Sequence, residues 1–280
     1  MVTKILFFGN CQSGVIMRCL NLNKSYVIHC IRCYLPPPSK KEFTTLIKEQ
    51  DIIITQPIGQ NYKNLDYLNT KYIINNTNGI VIIFPSMFFV FYYPDLKYVG
   101  DKNGKMVNAP IDYHYQYMID HYKRGDTIQN YLDNCVNNPD LISQKSLLER
   151  ATKSINELRN RDANIRKEYC KKSNVHFISI SDYIEKNYRE KLLFYSMNHP
   201  SKYLLQFICE NIINILDIDN TINYSIDPFN HIRCILYKCL ESALRFKIDN
   251  DFRTNNFTDT FSITKLYFDT YDKINFRNLF

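Results

Sequence analysis

The sequence predicts an α/β fold, a parallel sheet flanked by helices in three layers, followed by a largely helical second half. Two observations carry this prediction. Up to Pro94, short apolar runs rich in β-branched residues alternate with amphipathic stretches, and strands that are apolar throughout are typical of sheets covered on both faces. Beyond Pro94 the pattern becomes helical. Such alternation favours parallel strands joined by right-handed helical crossovers.

The individual elements follow from apolar spacing, taken in chain order. The predicted strands are residues 3–8, 26–33, 51–55, 71–75, 79–84 and 175–179. The predicted helices are residues 14–21, 40–49, 113–123, 127–135, 143–172, one that begins at Ser181, and 203–216, with Ser201 or His199 as the N-cap of the last. Residues 1–220 are predicted to form one domain, and residues 221–280 a helical, aromatic-rich extension packed on it.

Composition and charge narrow the class of protein. The net charge of +7 suits an anionic partner such as a nucleotide, coenzyme A or a phosphorylated sugar. The lysines and arginines are scattered and form no nucleic-acid-binding motif. Nine cysteines without a signal peptide predict reduced thiols and a cytoplasmic protein. The longest apolar run, residues 79–94, contains Pro85 and is too short to span a bilayer.

A cysteine stands where the first strand gives way to the first helix, in the segment FFGNCQSG. Ligands of doubly wound sheets bind beyond the carboxyl ends of the strands, so Cys11 is predicted at the mouth of a site. A helix N-terminus there favours thiolate over thiol. Gly9 allows the tight turn, and Gln12 and Ser13 add hydrogen-bond donors. The alternative is a structural cysteine buried in a tight turn.

Spacing excludes three other uses of this turn. A P-loop needs Lys and Ser or Thr where Val15 and Ile16 stand. A dinucleotide-binding GxGxxG needs glycine where Cys11 stands. A cysteine phosphatase needs arginine six residues after its cysteine, whereas Arg18 is seven residues after Cys11.

A nucleophile needs a base, and His199 in the segment MNHPS is the predicted one. It is predicted to lie at a second loop-to-helix junction, where the helix dipole favours the neutral imidazole that accepts a proton. His114 in DYHYQYM is the second choice.

Six segments together resemble the WcbI family of polysaccharide-biosynthesis acetyltransferases. In order along residues 3–216 they are GNCQ, TQPI, FPSMFFVFYYPD, APIDYHYQYMIDHYKRGDT, LRNRD and FYSMNHPSKYLL. The resemblance implies coenzyme A or acetyl-CoA as cofactor, O-acetylation of a glycan, and a cysteine–histidine active site that maps onto Cys11 and His199.

A looser similarity links the chain to SGNH hydrolases, in which a Gly-Asp-Ser block supplies the nucleophile and an Asp-x-x-His block the base. Here the segment GNC takes the first role. Ser196 stands three residues before His199, where that pattern has aspartate. A dyad is therefore expected, or a triad whose orienting carboxylate comes from elsewhere, such as Asp112.

The remaining site parts follow from the chemistry of acyl transfer, which needs donors for the developing oxyanion. The predicted donors are the backbone N–H of Cys11 or Gln12 and the side-chain amides of Asn10 and Gln56. Cations in the family-like segments are expected to meet the phosphates of coenzyme A. The predicted cofactor-binding residues are Ser13, Arg124, Arg161 and Lys202. No metal is expected, because residues 30–33 (CIRC) supply only half of a zinc site.

The sequence therefore predicts an acetyl-CoA-dependent O-acetyltransferase that acts on a sugar or polysaccharide. Two alternatives stay open. One is a carbohydrate esterase with the same nucleophile and water as acceptor, and the other is a non-catalytic glycan-binding module. The acceptor sugar, the hydroxyl that is modified, the acyl length and the formation of a homo-oligomer are left open by the sequence.

Overall fold

The computed structural model of the protein describes residues 2–219, 222–248, 250 and 259–279. Its chain divides into two compact units that interleave along the sequence. The first unit comprises Met1–Met87, Ile155–Lys186 and Lys202–Pro228, and the second comprises Phe88–Ser154, Asn187–Ser201 and Phe229–Phe280. Within the predicted extension 221–280, residues 221, 249, 251–258 and 280 lie outside the described residues. The predicted division at residues 220/221 stays a prediction.

The helices and strands confirm the predicted α/β class. The strands are β1 (Thr3–Gly9), β2 (Tyr26–Arg32), β3 (Ile52–Thr55), β4 (Ile80–Ile83), β5 (Leu96–Lys97), β6 (His114–Tyr115) and β7 (Val175–Phe177). The α-helices are α1 (Cys11–Cys19), α2 (Lys40–Lys48), α3 (Thr70–Asn76), α4 (Gln116–Arg124), α5 (Ile128–Tyr131), α6 (Gln144–Tyr169), α7 (Ser181–Asn187), α8 (Lys202–Leu216) and α9 (Thr260–Lys273). The predicted helix 127–135 is α5 followed by a π-helical turn, Leu132–Val136.

The first unit is built on a five-stranded parallel sheet in the order β2-β1-β3-β4-β7. On one face, Leu6 and Phe8 of β1 pack with Phe43 of α2 and Ile73 of α3. Helix α1 lies against the opposite face, where it is packed by α8. The carboxyl ends of all five strands share one edge of the sheet, and the turn from β1 to α1 lies on that edge.

The predicted strand at residues 71–75 is wrong, because this segment is the helix α3. Its β-branched composition imitates a strand, but the buried residues Thr70, Ile73 and Ile74 follow helical spacing. The side chain of Asn69 accepts a hydrogen bond from the backbone N of Tyr72 at 2.9 Å, which caps the first turn.

The second unit combines helices with the short antiparallel pair β5–β6. Buried tyrosines hold it together: the ring centroids of Tyr115 and Tyr267 are 5.5 Å apart, and those of Tyr122 and Tyr271 are 5.1 Å apart. The segment around Phe89 is part of the core. Over the described part of the chain, no helix has the length and apolar character needed to cross a membrane.

Candidate functional site

Cys11 is the first residue of α1, and one residue, Asn10, separates it from the end of β1. The predicted helix 14–21 thus begins three residues earlier than expected, because Asn10 caps it: its Oδ1 accepts from the backbone N of Gln12 at 2.8 Å. Cys11 is half-buried. The thiol therefore lies at the carboxyl edge of the sheet and at a helix N-terminus, as the sequence predicts.

Three predicted donors meet in a buried amide network around this turn. Gln56 Oε1 accepts from the backbone N of Asn10 at 2.8 Å, and Gln56 Nε2 donates to Gln12 Oε1 at 2.8 Å. Gln12 Nε2 donates to the carbonyl oxygen of Met87 at 3.0 Å, and Met87 N donates back to Gln12 Oε1 at 3.1 Å. The side chains of Gln12 and Gln56 are almost completely buried. The network fixes the end of β1 to the end of β3.

The network also shows which of the predicted oxyanion donors already have an acceptor within the protein. The amides of Gln12 and Gln56 bond to each other, and the backbone N of Gln12 is used by the helix cap. Asn10 is half-buried, and its Nδ2 donates to no acceptor among the described residues. Of the two predicted side-chain amide donors, Asn10 is thus better placed than Gln56 to contact a ligand, and the donor roles themselves stay predictions.

Glycine is required at position 9 because the amide network lies too close to the backbone there to leave room for a side chain. A Cβ added at Gly9 would lie 2.6 Å from Gln56 Oε1, which is well inside van der Waals contact. Any larger residue would push Gln56 away from Asn10.

His199 lies in the second unit, in the loop before α8, and its ring is hydrogen-bonded on one side. Its Nδ1 is 2.7 Å from Ser196 Oγ and 3.3 Å from the hydroxyl of Tyr113. Both hydroxyls have Asn198 Oδ1 as an acceptor, so Ser196 Oγ is left to accept from Nδ1–H. In that tautomer Nε2 carries the lone pair that takes up a proton.

The neutral state of His199 comes from burial rather than from a helix dipole. Of the two predicted N-caps, Ser201 directly precedes α8, which begins at Lys202, and His199 lies two residues earlier. The side chain is almost completely buried, with the ring of Phe229 at 4.8 Å. Burial lowers the pKa of His199 to about 4, although the charge of Asp112 opposes the shift. His199 is therefore a neutral imidazole at neutral pH.

The two second-choice residues have different environments. His114 is buried, and both ring nitrogens are occupied: Nδ1 is 3.0 Å from the hydroxyl of Tyr271, and Nε2 is 3.0 Å from the carbonyl oxygen of Val107. Burial lowers the pKa of His114. Asp112 is exposed and acts on His199 through its charge. The contacts of His114 favour a structural role.

The predicted cofactor-binding cations have different local partners, and their roles stay predictions. Arg124, in the second unit, donates from Nε to Asp126 Oδ2 at 2.9 Å. In the first unit, Arg161 pairs with Glu157 on the same helix. Lys202 Nζ lies 5.5 Å from the ring centroid of Tyr203.

Ser13 is predicted from the sequence to bind the cofactor, whereas the sequence predicts no role for Ser196. The Ser13 hydroxyl donates to the carbonyl oxygen of Asn10 at 2.8 Å, within the cap of α1. Ser196, noted in the sequence only as a missing aspartate, is the hydrogen-bond partner of His199. The position of Ser196, three residues before His199, is the sequence signal for this contact.

The chain matches a known protein family and resembles a solved structure. The family model described as the polysaccharide biosynthesis enzyme WcbI matches residues 4–221. A solved structure of WcbI, in a native form without a disulfide bond between coenzyme A and one of its cysteines, superposes with a TM-score of 0.74 at 18% identity, covering 99% of this chain and 97% of that one. At this identity the superposition shows a shared fold. No curated protein matches the chain. Because the family match spans most of the sequence and includes Cys11, Gln56 and His199, the chain belongs to the WcbI family of polysaccharide biosynthesis enzymes.

Proposed function

We propose that the protein is an acetyl-CoA-dependent O-acetyltransferase that modifies a sugar or polysaccharide during glycan biosynthesis. The observation that carries the proposal is the half-buried thiol of Cys11 at the carboxyl edge of the sheet, braced by the amide network. The family supplies the glycan context. The similar structure is of native WcbI without a disulfide bond between coenzyme A and one of its cysteines, which supports coenzyme A as the cofactor beside Cys11.

The residues at this edge fit coenzyme A. The thiol of Cys11 can exchange with a thioester, the amide of Asn10 offers a donor, and the N-terminus of α1 favours negative charge. We assign Cys11 and Asn10 to the acyl end of the cofactor.

The proposed chemistry has two steps, and Cys11 is the nucleophile of the first. Its sulfur attacks the acetyl carbonyl carbon of the donor, a new sulfur–carbon bond forms, and the bond to the coenzyme A sulfur breaks. The proton lost by Cys11 goes to the departing thiolate. Both thioesters are similar in energy, so the acetylated Cys11 accumulates when no acceptor is present.

His199 is the proposed base of the second step. The oxygen of a sugar hydroxyl attacks the acetyl carbon on Cys11, the hydroxyl proton passes to Nε2 of His199, and the thiolate of Cys11 leaves. The neutral, hydrogen-bonded imidazole suits this role, because it has a lone pair at neutral pH. Asp112 favours the imidazolium that forms.

Intact-protein mass spectrometry after exposure to acetyl-CoA tests the covalent step. We expect one acetyl group that maps to Cys11 and is absent from Cys11→Ala. Cys30 is exposed and serves as the control for non-specific acetylation. No adduct under rapid quench, together with turnover by Cys11→Ser, would contradict the covalent route. An adduct lost rapidly to water, with hydrolysis of p-nitrophenyl acetate, would instead identify an esterase.

A further inference from the structure

A cluster of exposed side chains lies where β2 leaves the sheet, and we call it the β2 exit. It consists of Arg32, Tyr34 and Leu35, together with Lys63 from the loop that precedes α3. The large side chains of Tyr34 and Leu35 are 46% and 47% exposed. All four residues belong to the first unit, as does Cys11.

The β2 exit adjoins the turn that carries Cys11. Arg32 is the ladder partner of Gly9, and the backbone N of Cys33 donates to the carbonyl oxygen of Gly9 at 2.8 Å. Neighbouring strands are about 4.8 Å apart. The Arg32 guanidinium turns toward the first turns of α1, since a Cβ on Gly14 would lie 3.9 Å from Arg32 Nε.

The cations of the β2 exit are available to an anion. Arg32 Nη1 donates to the hydroxyl of Tyr34 at 3.3 Å, and Lys63 Nζ donates to the carbonyl oxygen of Leu35 at 2.7 Å. Within the described ranges, neither cation forms an ion pair with a carboxylate. By contrast, Arg124 and Arg161 are both paired with acidic side chains.

We propose that the β2 exit binds the nucleotide end of coenzyme A. Arg32 and Lys63 contact its phosphates, and the exposed ring of Tyr34 stacks on adenine. A guanidinium matches phosphate through two parallel N–H donors, and an aromatic ring stacks on any base. The acyl end then reaches Cys11, one strand away. This inference rests on the proposed use of coenzyme A. It assigns the phosphates to Arg32 and Lys63 instead of the predicted Arg124, Arg161 and Lys202.

Isothermal titration calorimetry with two probes tests the assignment. Coenzyme A carries the nucleotide, and pantetheine is the same thiol arm without it. We expect Arg32→Ala to weaken coenzyme A binding by about 10- to 100-fold, the range for a hydrogen bond to a charged group. Tyr34→Ala should weaken it at least several-fold. Pantetheine affinity should stay within about two-fold of wild type in both variants.

Lys63→Ala and Lys24→Ala form a matched pair of single-charge deletions. Lys24 is exposed and precedes β2, at the opposite edge of the sheet. We expect Lys63→Ala to weaken coenzyme A binding and to flatten its salt dependence, and Lys24→Ala to do neither.

Separate results would overturn the two proposals. Unchanged coenzyme A affinity in Arg32→Ala and Tyr34→Ala, with normal binding by wild type, overturns the β2 exit and leaves the proposed function intact. An equal loss of pantetheine affinity overturns it too, because the residues would then act on the thiol end. If wild type binds no coenzyme A, both proposals fail.

Discussion

The side chain that orients His199 is an uncharged hydroxyl. A carboxylate at this position would favour the imidazolium and raise the pKa of the histidine. Ser196 Oγ holds Nδ1 at 2.7 Å without adding charge, so burial dominates and lowers the pKa of His199 to about 4. The ring is therefore fixed in orientation and ready to accept a proton, but the imidazolium that forms depends on Asp112 for support.

Replacing Ser196 with alanine should impair transfer to the acceptor without affecting the first step. Loss of the hydroxyl frees the ring of His199 to rotate, so we expect turnover to fall by roughly 10-fold, part of the contribution of a general base. Acetylation of Cys11 by acetyl-CoA should proceed as in wild type. Single-turnover kinetics with and without acceptor separate the two steps, and unchanged turnover in Ser196→Ala would remove the orienting role.

His114 and His199 should respond differently to replacement by phenylalanine. His114→Phe leaves the hydroxyl of Tyr271 and the carbonyl of Val107 without their buried partner, which costs about 1–3 kcal/mol for each group. We expect a lower midpoint of thermal unfolding but retained turnover in the folded protein. His199→Phe should abolish turnover. The reverse pattern would make His114 the base.

At the scale of elements, the β1–α1 turn depends on the absence of a side chain at Gly9. We expect Gly9→Ala to destabilise the protein by about 1–3 kcal/mol, the usual cost of forcing extra volume into a packed region, because the new Cβ collides with Gln56. Gly59→Ala is the matched control, since nothing lies within 4 Å of a Cβ there. Urea unfolding of both variants measures the difference, and equal stabilities would show that Gln56 moves aside at little cost.

The same substitution bears on the site. Displacing Gln56 breaks its bond to the backbone N of Asn10 and loosens the cap of α1. The acetylation rate of Cys11 should therefore fall in Gly9→Ala and stay normal in Gly59→Ala.

The elements themselves were largely predictable from local pattern. Apolar β-branched runs predict β1, β3 and β4. Because ligands bind beyond the carboxyl ends of parallel strands, the sequence also predicts Cys11 at the carboxyl edge of the sheet. Helix α3 was missed because the apolar residues Ile73 and Ile74 fit a strand as well as a helix. The N-cap residue Asn69 is the signal in the sequence that indicates a helix here.

The parts of the site that escaped the sequence depend on contacts between distant residues. Gln56 and Met87 meet Gln12 across 44 and 75 residues of chain, which no local spacing encodes. Arg32 carries no motif, and only the ladder with Gly9 places it beside the turn. Local spacing therefore predicts residues of the candidate site but not the partners that they contact.

For the molecule as a whole, two buried groups of the second unit give opposite dependences of stability on pH. Burial lowers the pKa of His199 to about 4 and raises the pKa of Asp95 to about 6. The carboxyl group of Asp95 accepts from Tyr117 N and from the hydroxyl of Tyr237 on Oδ2, whereas Oδ1 is buried with no partner among the described residues.

The sign of each dependence follows from proton binding. Between pH 4 and 6.5 the unfolded chain binds the proton of His199 and the native state does not, so native stability rises with pH. Between pH 3.8 and 6 the native state binds the proton of Asp95 and the unfolded chain does not, so native stability falls as pH rises. Each shift corresponds to a free energy of unfolding on the order of 3 kcal/mol. The two contributions therefore oppose each other between pH 4 and 6.

Replacing either His199 or Asp95 should reveal the effect of the other group on the pH dependence of stability. We expect the free energy of unfolding of wild type to rise modestly between pH 4 and 6, because His199 and Asp95 largely cancel and the lowered pKa values of His114 and His121 add a rise. In Asp95→Asn, whose Oδ1 can accept the bonds that Oδ2 accepts now, it should rise with pH across this range. In His199→Phe it should fall with pH, less steeply because burial also lowers the pKa of His114 and His121. Urea unfolding at half-unit pH intervals measures the three slopes. Slopes of the same sign in both variants would show that these two groups do not control the acid stability of the protein.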